Sequence, residues 1–395
     1  MPTHSSARPR LPAAIWALGL VSLCMDVSSE LIHSLLPVFM VGTLGASAFV
    51  LGLVEGAAEA CALIVKVFSG VISDWWGKRK PLALFGYGLA ALTKPLFALA
   101  PGVGMLLAAR LLDRIGKGIR GAPRDALVAD LAPQEQRGAA FGLRQTLDTV
   151  GALLGPILAM LLMLAWHNDI RAVFWVAVIP AAMAVAFLQF GVREPAGLVH
   201  PARGYPLTRA NLARLPTAYW WVVAAGAVLT LVRFSEAFLV LRVSDTGLPL
   251  AFTPLVMIVM NLVYASGAYP CGKLADRVPP LRLLGLGIVC LIGADLLLAQ
   301  AVSAAIWAGI VLWGLHMALT QGLLAALIAH AAPADLRGTA FGCFNLLSGI
   351  AMLLASALAG LLWEALGAPA TFLAGAIFSA AALLLLLGRP RFEAA

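Results

Sequence analysis

The sequence predicts an all-α membrane protein with twelve transmembrane helices in two six-helix halves. Of its 395 residues, 62% are hydrophobic and only 12% are charged, whereas a soluble domain carries about 25% charged residues. The apolar residues form twelve continuous runs of roughly 20 residues each, the length that a helix needs to cross a bilayer. Because the runs are continuous and do not alternate with polar residues, they exclude a transmembrane β-barrel.

The only long polar connection, residues 193–217, separates the runs into two sets of six. We therefore expect an N-terminal bundle at 1–192, a cytoplasmic linker at 193–217 and a C-terminal bundle at 218–395. In chain order, the runs cover 13–41, 48–72, 81–100, 103–127, 139–165, 172–192, 218–241, 249–271, 281–301, 304–329, 339–363 and 368–387.

The placement of basic residues predicts the orientation of the chain. Its formal charge of +8 could suggest a nucleic-acid partner, but Lys and Arg gather in the loops of one side. The opposite loops hold little more than Arg171 and Arg242. In membrane proteins the basic side faces the cytoplasm. We therefore expect both termini in the cytoplasm, no nucleic-acid partner, and a multi-pass protein of the cell membrane, in bacteria the inner membrane.

Three ionisable residues lie in the middle of the first run. Asp26, Glu30 and His33 fall on one helical face, about one turn apart. A charge at mid-bilayer costs roughly 2.5–3.5 kcal/mol, so these residues indicate an interior that water reaches. A carboxylate in an apolar cavity can bind and release protons near about pH 7. We expect Asp26 and Glu30 to carry protons and His33 to share in the relay, with Glu55 or Glu59 as alternative carriers.

The two halves repeat one another along the sequence, and the near-constant spacing of the repeats indicates an internal duplication. Parallel repeats of this kind enclose a site near the bilayer midplane, and rocking of one half on the other gives alternating access. The matches pair Pro133, Arg137, Gly138, Phe141 and Gly142 with Pro333, Arg337, Gly338, Phe341 and Gly342, Gly70 and Asp74 with Gly272 and Asp276, and Ser29-Glu30 with Ser235-Glu236.

The connection between the second and third runs carries the most specific motif. It reads Gly70-Val-Ile-Ser-Asp74-Trp-Trp-Gly77-Lys78-Arg79-Lys80, in which the glycines permit close helix approach and a tight turn. It resembles the signature loop of the major facilitator superfamily, which implies a twelve-helix transporter fold and a gate on the cytoplasmic side. Trp75 departs from the family pattern, which usually has a basic residue there. The gating residues that the resemblance implies are Gly70, Asp74, Gly77, Lys78 and Arg79, with Gly272 and Asp276 in a partly eroded second copy.

The fourth run places Arg110, Arg114, Lys117 and Arg124 along one helical face. Arg114 and the glycines that follow resemble the fourth-helix motif of the superfamily, whose arginine is implied in proton coupling. Lys117 stands where the family often has glutamine. Asp113, one turn from Lys117, offsets part of the positive charge. The alternative interpretation is that the basic residues at the end of the run only anchor it at the cytoplasmic surface.

The fifth run contains Gly151, Gly155 and Pro156 in a Gly-x-x-x-Gly-Pro pattern. Small residues at this spacing let helices approach closely, and proline interrupts the backbone hydrogen-bond ladder. The stretch resembles the fifth-helix motif associated with antiporters of the superfamily, with Ala159 where the family tends to have glycine. Generic helix packing is the alternative, since Gly-x-x-x-Gly is common in membrane helices.

Polar side chains elsewhere in the runs are the candidates for substrate binding. Their apolar surroundings, which include Phe234, Phe238 and Trp313, suit an amphipathic organic solute. The candidates are Lys94, Lys117, Arg233, Glu236, Asn261, Tyr264, His316 and Gln321. For the aromatic residues the alternative is helix packing, and for the acids it is a permanent ion pair with Arg114, Lys66 or Lys94.

Together these features predict a secondary transporter that exports a small organic solute in exchange for protons. Its expected partners are the solute, protons and the lipid bilayer, and we expect a monomer without cofactor or metal. The sequence has no Gly-x-x-x-x-Gly-Lys-Ser/Thr loop, so ATP-driven pumping is not expected. Its five cysteines are widely spaced, which indicates neither a disulfide framework nor a zinc site.

Three alternatives stay open. The first is uptake or exchange of an anionic solute, for which the binding charges would be Lys66, Lys94, Arg114 and Lys117. The second is divalent-metal efflux through Asp26, Glu30 and His33. The third is a receptor, scaffold or membrane enzyme that does not transport, although no nucleophile–base spacing supports it.

Overall fold

A computed structural model describes residues 11–194, 208–275, 277–333 and 336–387, without the side chain of Asp74. Two predicted gating groups, Asp276 and the Asp74 side chain, lie outside this part of the chain, as do both termini and most of the predicted linker. Within the described ranges the chain forms helices and turns and no strand.

Twelve helical segments, some of them interrupted, follow one another along these ranges. They are α1 (Ala13–His33, continued by Leu36–Val38 and a π-helical turn at Phe39–Thr43), α2 (Ala48–Trp76), α3 (Arg79–Leu99), α4 (Val103–Leu131), α5 (Arg137–Ala165), α6 (Ile170–Val176 and Val178–Gly191), α7 (Thr217–Val232 and Ala237–Ser244), α8 (Leu255–Ala275), α9 (Pro280–Leu298), α10 (Ser303–Ala331), α11 (Arg337–Leu366) and α12 (Ala368–Leu387). A short helix at Arg209–Ala213 precedes α7.

Eleven of these segments are long and apolar enough to cross a membrane. The remaining one, α4, is as long as α2 and α5, at 29 residues, but it carries the charged stripe described above. It packs between α2 and α3, which hold much of that stripe away from lipid. We therefore treat α4 as the twelfth spanning helix, as the sequence predicted.

Local chemistry explains several helix ends. Ser47 caps α2 through a hydrogen bond that its hydroxyl accepts from the Val50 N–H at 3.3 Å, and Asp169 caps α6 by accepting from Ala172 at 3.0 Å. Gly77 ends α2 with φ +66°, a left-handed conformation that favours glycine. The tight turn predicted at Gly77 is confirmed.

Equivalent helices of the two halves make equivalent contacts. In the first half α1 packs on α5 and α6, and α4 packs on α2 and α3. In the second half α7 packs on α11 and α12, and α10 packs on α8 and α9. The duplication seen in the sequence therefore builds two pseudo-symmetric six-helix bundles.

The two bundles meet along α2 with α11 and along α5 with α8. We call the end that carries residues 77–78, 132–136 and 208–216 the linker end, and the end that carries 44–47, 100–102 and 367 the opposite end. A Cβ placed on Gly52 would lie 2.1 Å from the carbonyl oxygen of Ser356, and one on Gly360 would lie 2.5 Å from that of Ala48. These glycines bring α2 and α11 together in the half of the bilayer near the opposite end.

Arg171 and Arg242 have structural partners. Arg171 donates to the carbonyls of Ala98 and Ala100, each at 2.7 Å. Arg242 donates to those of Leu298 at 2.8 Å and Gln300 at 2.6 Å. These carbonyls belong to the ends of α3 and α9, where helical partners are missing. Each arginine thus satisfies a helix terminus at the opposite end of the bundle.

Candidate functional site

Two adjoining cavities lie between the halves. The central lobe has a volume of about 270 Å³. The linker-side lobe has a volume of about 430 Å³. Arg233, Gln321 and Met352 line both lobes. Lys66 of α2 lines the linker-side lobe opposite Phe341 and Phe344 of α11, so the halves are separated near the linker end. From Leu63 and Gly349 toward the opposite end, α2 and α11 are in contact.

The central lobe is lined mainly by ionic and polar side chains, whereas the surface that the linker-side lobe exposes is mostly apolar. The central lobe is lined by Glu30, His33, Glu55, Glu59, Arg114, Lys117, Ala152, Arg233, Phe234, Ser235, Glu236, Met257, Asn261, Gln321 and Met352. Besides the three shared residues, the linker-side lobe is lined by Leu63, Lys66, Leu229, Thr230, His316, Thr320, Leu324, Ala325, Phe341, Phe344, Asn345 and Ser348.

A break in α7 presents several of these residues to the central lobe. The helix stops at Val232 and resumes at Ala237, although the sequence predicted one continuous run over 218–241. The backbone N–H of Ser235 donates to the Ser356 hydroxyl of α11 at 3.1 Å. Irregular backbone at membrane depth is tolerated where it is buried in protein or lines a cavity. Contacts with another helix therefore hold the break, and no glycine or proline marks it in the sequence.

Glu30 and His33 of α1 line the central lobe, as a proton-carrying role requires. Nδ1 of His33 lies 3.6 Å from the carboxylate of Glu30, and Nε2 lies 3.2 Å from that of Glu55. Arg110 donates to the same Glu55 oxygen at 2.7 Å. His33 thus connects the cavity carboxylate Glu30 to a buried carboxylate, Glu55, that is neutralised by Arg110.

Asp26 lies one turn nearer the linker end and lines neither lobe. A Cβ placed on Gly151 of α5 would lie 3.0 Å from its Cβ, so Asp26 sits where α1 meets α5. Among the described residues it has no hydrogen bond and no ion pair within 4.0 Å. Lys117, Arg124 and Asp148 are among the charged groups that act on it. It is a half-buried acid between the basic face of α4 and the acidic Asp148.

Most other charges of the N-terminal half are paired. Lys94 donates to Asp113 at 2.8 Å and to the Ser29 hydroxyl at 3.1 Å, and Arg114 lies 3.1 Å from Glu59. Lys94 is 1% exposed and lines neither lobe. Its charge is therefore used inside the bundle and does not face the cavities.

Four charged side chains of the two lobes have no opposite charge within 4.0 Å among the residues that the structure describes. Three are cations, Lys117 and Arg233 in the central lobe and Lys66 in the linker-side lobe. The fourth is Glu236, at the break in α7. These groups can interact with a solute without first breaking an ion pair.

Of the remaining substrate-binding candidates, three line the cavities and one does not. Gln321 lines both lobes and His316 the linker-side lobe, where its Nδ1 lies 2.8 Å from the Gly287 carbonyl oxygen. Asn261 donates to the Ala152 carbonyl at 3.2 Å, which joins α8 to α5 across the halves. Tyr264 packs against the apolar core and lines neither lobe. The structure therefore brings His316, Gln321 and Asn261 to the cavities and leaves Tyr264 outside them.

The loop between α2 and α3 is held to its own half. Arg79 pairs with Asp130 at the end of α4 at 2.6 Å, and the carboxylate of Glu194 accepts hydrogen bonds from the backbone N–H groups of Arg79 and Lys80. Lys78 is exposed. A Cβ on Gly70 would make only an ordinary contact, 3.5 Å from Ala122, and one on Gly272 would meet nothing within 4 Å.

Metal binding has no suitable residue set in the described part of the chain. No group of three or more His, Cys, Asp or Glu side chains there could hold a metal ion. Glu30, His33 and Glu55 come near one another, but Arg110 already neutralises Glu55. Among the described residues, the divalent-metal alternative therefore has no set of ligands.

Sequence reasoning missed the pairing of Arg110 with Glu55 and of Lys94 with Asp113. The sequence does contain a pattern that predicts the Arg110–Glu55 pair. Glu55 and Glu59 are four residues apart on α2, and Arg110 and Arg114 have the same spacing on α4. Equal spacing on neighbouring helices places two acid–base pairs one turn apart.

Comparison with known proteins identifies the family. The family model described as Major Facilitator Superfamily matches residues 18–356 and 243–395. The chain belongs to the Major Facilitator Superfamily. It is therefore a multi-pass membrane transporter of this superfamily, and the resemblance inferred from the sequence motifs is confirmed.

Relatives agree with this assignment. An uncharacterised MFS-type transporter of Methanocaldococcus jannaschii is 29% identical over 383 residues, which is 94% of each chain. The multidrug resistance protein MdtH of Photorhabdus laumondii is 31% identical over 144 residues, 36% of this chain and 35% of MdtH. The crystal structure of the nucleoside transporter NupG superposes with a TM-score of 0.78 at 13% identity, covering 95% of this chain and 98% of NupG. NupG shows the fold alone.

Proposed function

We propose that this transporter exports a small organic solute in exchange for protons. The observation that carries the proposal is the central lobe, where Glu30, His33 and Glu236 lie between two bundles that are in contact from mid-membrane toward the opposite end. Carboxylates in such a cavity can gain a proton from one side of the membrane and lose it to the other. Rocking of the bundles about this seam would supply the alternating access.

The proposed cycle begins from the conformation described here. A solute enters from the linker end, which we propose faces the cytoplasm, and passes through the linker-side lobe to Glu30 and Gln321 in the central lobe. Its arrival favours closure of the linker end and opening of the opposite end. There a proton replaces the solute on Glu30, and the His33 imidazole shares it with the buried carboxylate of Glu55.

Return to the starting conformation releases the proton toward the linker end. Asp26, one turn from Glu30 and without an ion-pair partner among the described residues, is the proposed next carrier on that path. Arg114 stabilises the ionised form of Glu59 beside the lobe. The antiporter-like stretch of α5 packs directly on this part of α1. We place the protein in the bacterial inner membrane as a monomer with both termini in the cytoplasm.

One observation favours a second candidate, transport of an organic anion. Lys66, Lys117 and Arg233 are three cavity cations without a carboxylate within 4.0 Å among the described residues, whereas Glu236 is the one such acid. The direction of coupling separates the two candidates. A proton and an anion attract each other within one cavity and favour moving together, whereas a proton and a cation compete for the same carboxylates.

The test uses purified protein in liposomes that contain a pH-sensitive dye. Ethidium, an organic cation, or hippurate, an organic anion, is added outside, and protein-free liposomes give the background. Proton-coupled export predicts that ethidium raises the internal pH, because protons leave as the solute enters. A fall in internal pH with hippurate supports the anion candidate. No protein-dependent change with either solute contradicts both.

A further inference from the structure

A carboxyl group lies sealed inside the C-terminal half, away from both lobes. Asp295 of α9 is 0% exposed, and neither of its carboxyl oxygens has a hydrogen-bond partner among the described residues. Its Oδ2 lies 2.8 Å from the point where a Cβ would stand on Gly375 of α12. Glycine at that position leaves the space that the carboxyl group fills. The hydroxyl of Ser379, one turn further along α12, is also buried without a partner in the described chain.

No described charge compensates Asp295. Between Ala368 and Leu387, α12 carries no ionisable residue. Away from the linker end, the other ionisable groups on α7, α9 and α10 are Arg233, Glu236 and Arg242 of α7, Cys290 of α9 and His316 of α10.

None of the charged groups among these lies within 4.0 Å of Asp295, and Arg242 donates to backbone carbonyls at the end of α9 instead. An ionised carboxylate buried without a partner is strongly unfavourable. Asp295 therefore holds a proton in this conformation.

One aromatic ring lies near both Asp295 and the central lobe. Phe234 lines the central lobe, and its Cε1 lies 3.3 Å from the same point at Gly375 that the Asp295 carboxyl approaches. The ring packs against Trp313 and Phe372, with centroid distances of 5.4 and 5.6 Å. Phe234 belongs to the break at 233–236, where the chain leaves regular helical structure. A small rearrangement of the break would connect Asp295 with the central lobe.

Asp295 lies one turn before α9 ends at the opposite end, on the side where the two bundles are closed. We propose that Asp295 is a second proton-binding site of the transport cycle, loaded when the opposite end opens and unloaded into the central lobe when the 233–236 segment moves Phe234. This inference rests on the proposed proton-coupled function. It adds a proton site in the C-terminal half to those proposed on α1.

The first test is infrared spectroscopy of the full chain in liposomes. The proposal predicts a carbonyl-stretch band from a protonated carboxyl group without hydrogen bonds, present in wild type and missing in Asp295→Asn. Asp295→Ala serves as a second variant should the asparagine substitution prevent folding. A spectrum that keeps the band in the folded variant, or a wild-type spectrum without it, overturns the proposal.

The second test follows the same band after transfer to heavy water. Replacing Phe234 by leucine should speed hydrogen–deuterium exchange of the carboxyl group by about tenfold or more, because opening of the site becomes easier. Phe372→Leu is the matched control, since Phe372 belongs to the same aromatic cluster and lines neither lobe. Equal acceleration by both variants, or none by Phe234→Leu, contradicts a path past Phe234.

The third test is the liposome assay described above, with ethidium and hippurate as solutes. Asp295→Asn should abolish the solute-induced change of internal pH while exchange of labelled for unlabelled solute continues. A variant that keeps the pH change overturns the role of Asp295 and leaves the proposed function standing. A wild-type protein that gives no pH change removes the proposed function and this role together, while the infrared band still reports whether Asp295 is protonated.

Discussion

Gly155 of α5 lies directly against Glu30 of α1. A Cβ placed on Gly155 would come within 2.8 Å of the Glu30 Cβ and 2.9 Å of the Val27 carbonyl oxygen. Gly151, one turn away, makes the same kind of contact beside Asp26, at 2.7 Å from the Leu23 carbonyl oxygen. The Gly-x-x-x-Gly stretch therefore sets the distance between α5 and the two acids proposed to carry protons.

Gly155→Ala should destabilise the protein by about 1–3 kcal/mol, because backbone of α1 blocks the added methyl group and the helices must shift. The measurement is thermal unfolding of the purified protein. Gly142→Ala is the control on the same helix, since a Cβ there would meet nothing within 4 Å. Equal stability of Gly155→Ala and wild type would show that α1 and α5 are not in this close contact.

Lys94→Met should destabilise the protein by about 3–5 kcal/mol, because it leaves the buried carboxylate of Asp113 without its partner. Adding Asp113→Asn should recover most of the loss, since the unpaired charge is then removed. Lys66→Met, which removes an exposed lysine of the linker-side lobe, should change stability by less than about 0.5 kcal/mol. Denaturant unfolding measures all three variants. A fully stable Lys94→Met would argue against the Lys94–Asp113 pair.

Arg242→Gln should destabilise the protein by about 1.5–3 kcal/mol, because the charged hydrogen bonds to the carbonyls of Leu298 and Gln300 are lost. Transport in the liposome assay should keep its solute preference, since Arg242 lines neither lobe. Thermal unfolding and the assay are run on the same preparation. Unchanged stability together with an altered solute preference would show that Arg242 acts in substrate binding and does not stabilise the helix end.

A disulfide between Leu63→Cys and Gly349→Cys should form readily on mild oxidation. The Cβ of Leu63 lies 3.6 Å from the point where a Cβ would stand on Gly349, within the range of about 3.5–4.5 Å that disulfides require. The bond joins α2 to α11 and should stop transport until a reducing agent is added, because the halves can no longer move apart. The measurement is made with the native cysteines replaced, and each single-cysteine variant is the control. Full transport by the oxidised pair would show that these helices need not separate.

The fold was predictable because each of its determinants is local in sequence. Continuous apolar runs, one polar connection and repeated motifs require no knowledge of tertiary contacts. The break in α7 could not be predicted in this way. Nothing in the stretch from Arg233 to Glu236 is a helix breaker, and a hydrogen bond to Ser356, 121 residues away, holds the segment.

The candidate site was predictable only in part, for a similar reason. Residue type and helical spacing placed Glu30 and His33 on one face of α1, and both line the central lobe. The same information could not distinguish Lys94, which turns to Asp113 inside the bundle, from Lys117, which faces the cavity. Whether a buried charge is paired depends on a neighbouring helix, which the sequence pattern alone does not specify.

If the acids of α1 carry the transported protons, replacing either of them should stop proton movement. Solute-induced change of internal pH is compared for wild type, Glu30→Gln, Asp26→Asn and the exposed control Glu135→Gln in proteoliposomes. We expect Glu30→Gln and Asp26→Asn to fall to the protein-free rate, while both still exchange labelled for unlabelled solute and Glu135→Gln behaves as wild type. Full proton movement in both Glu30→Gln and Asp26→Asn would contradict this expectation.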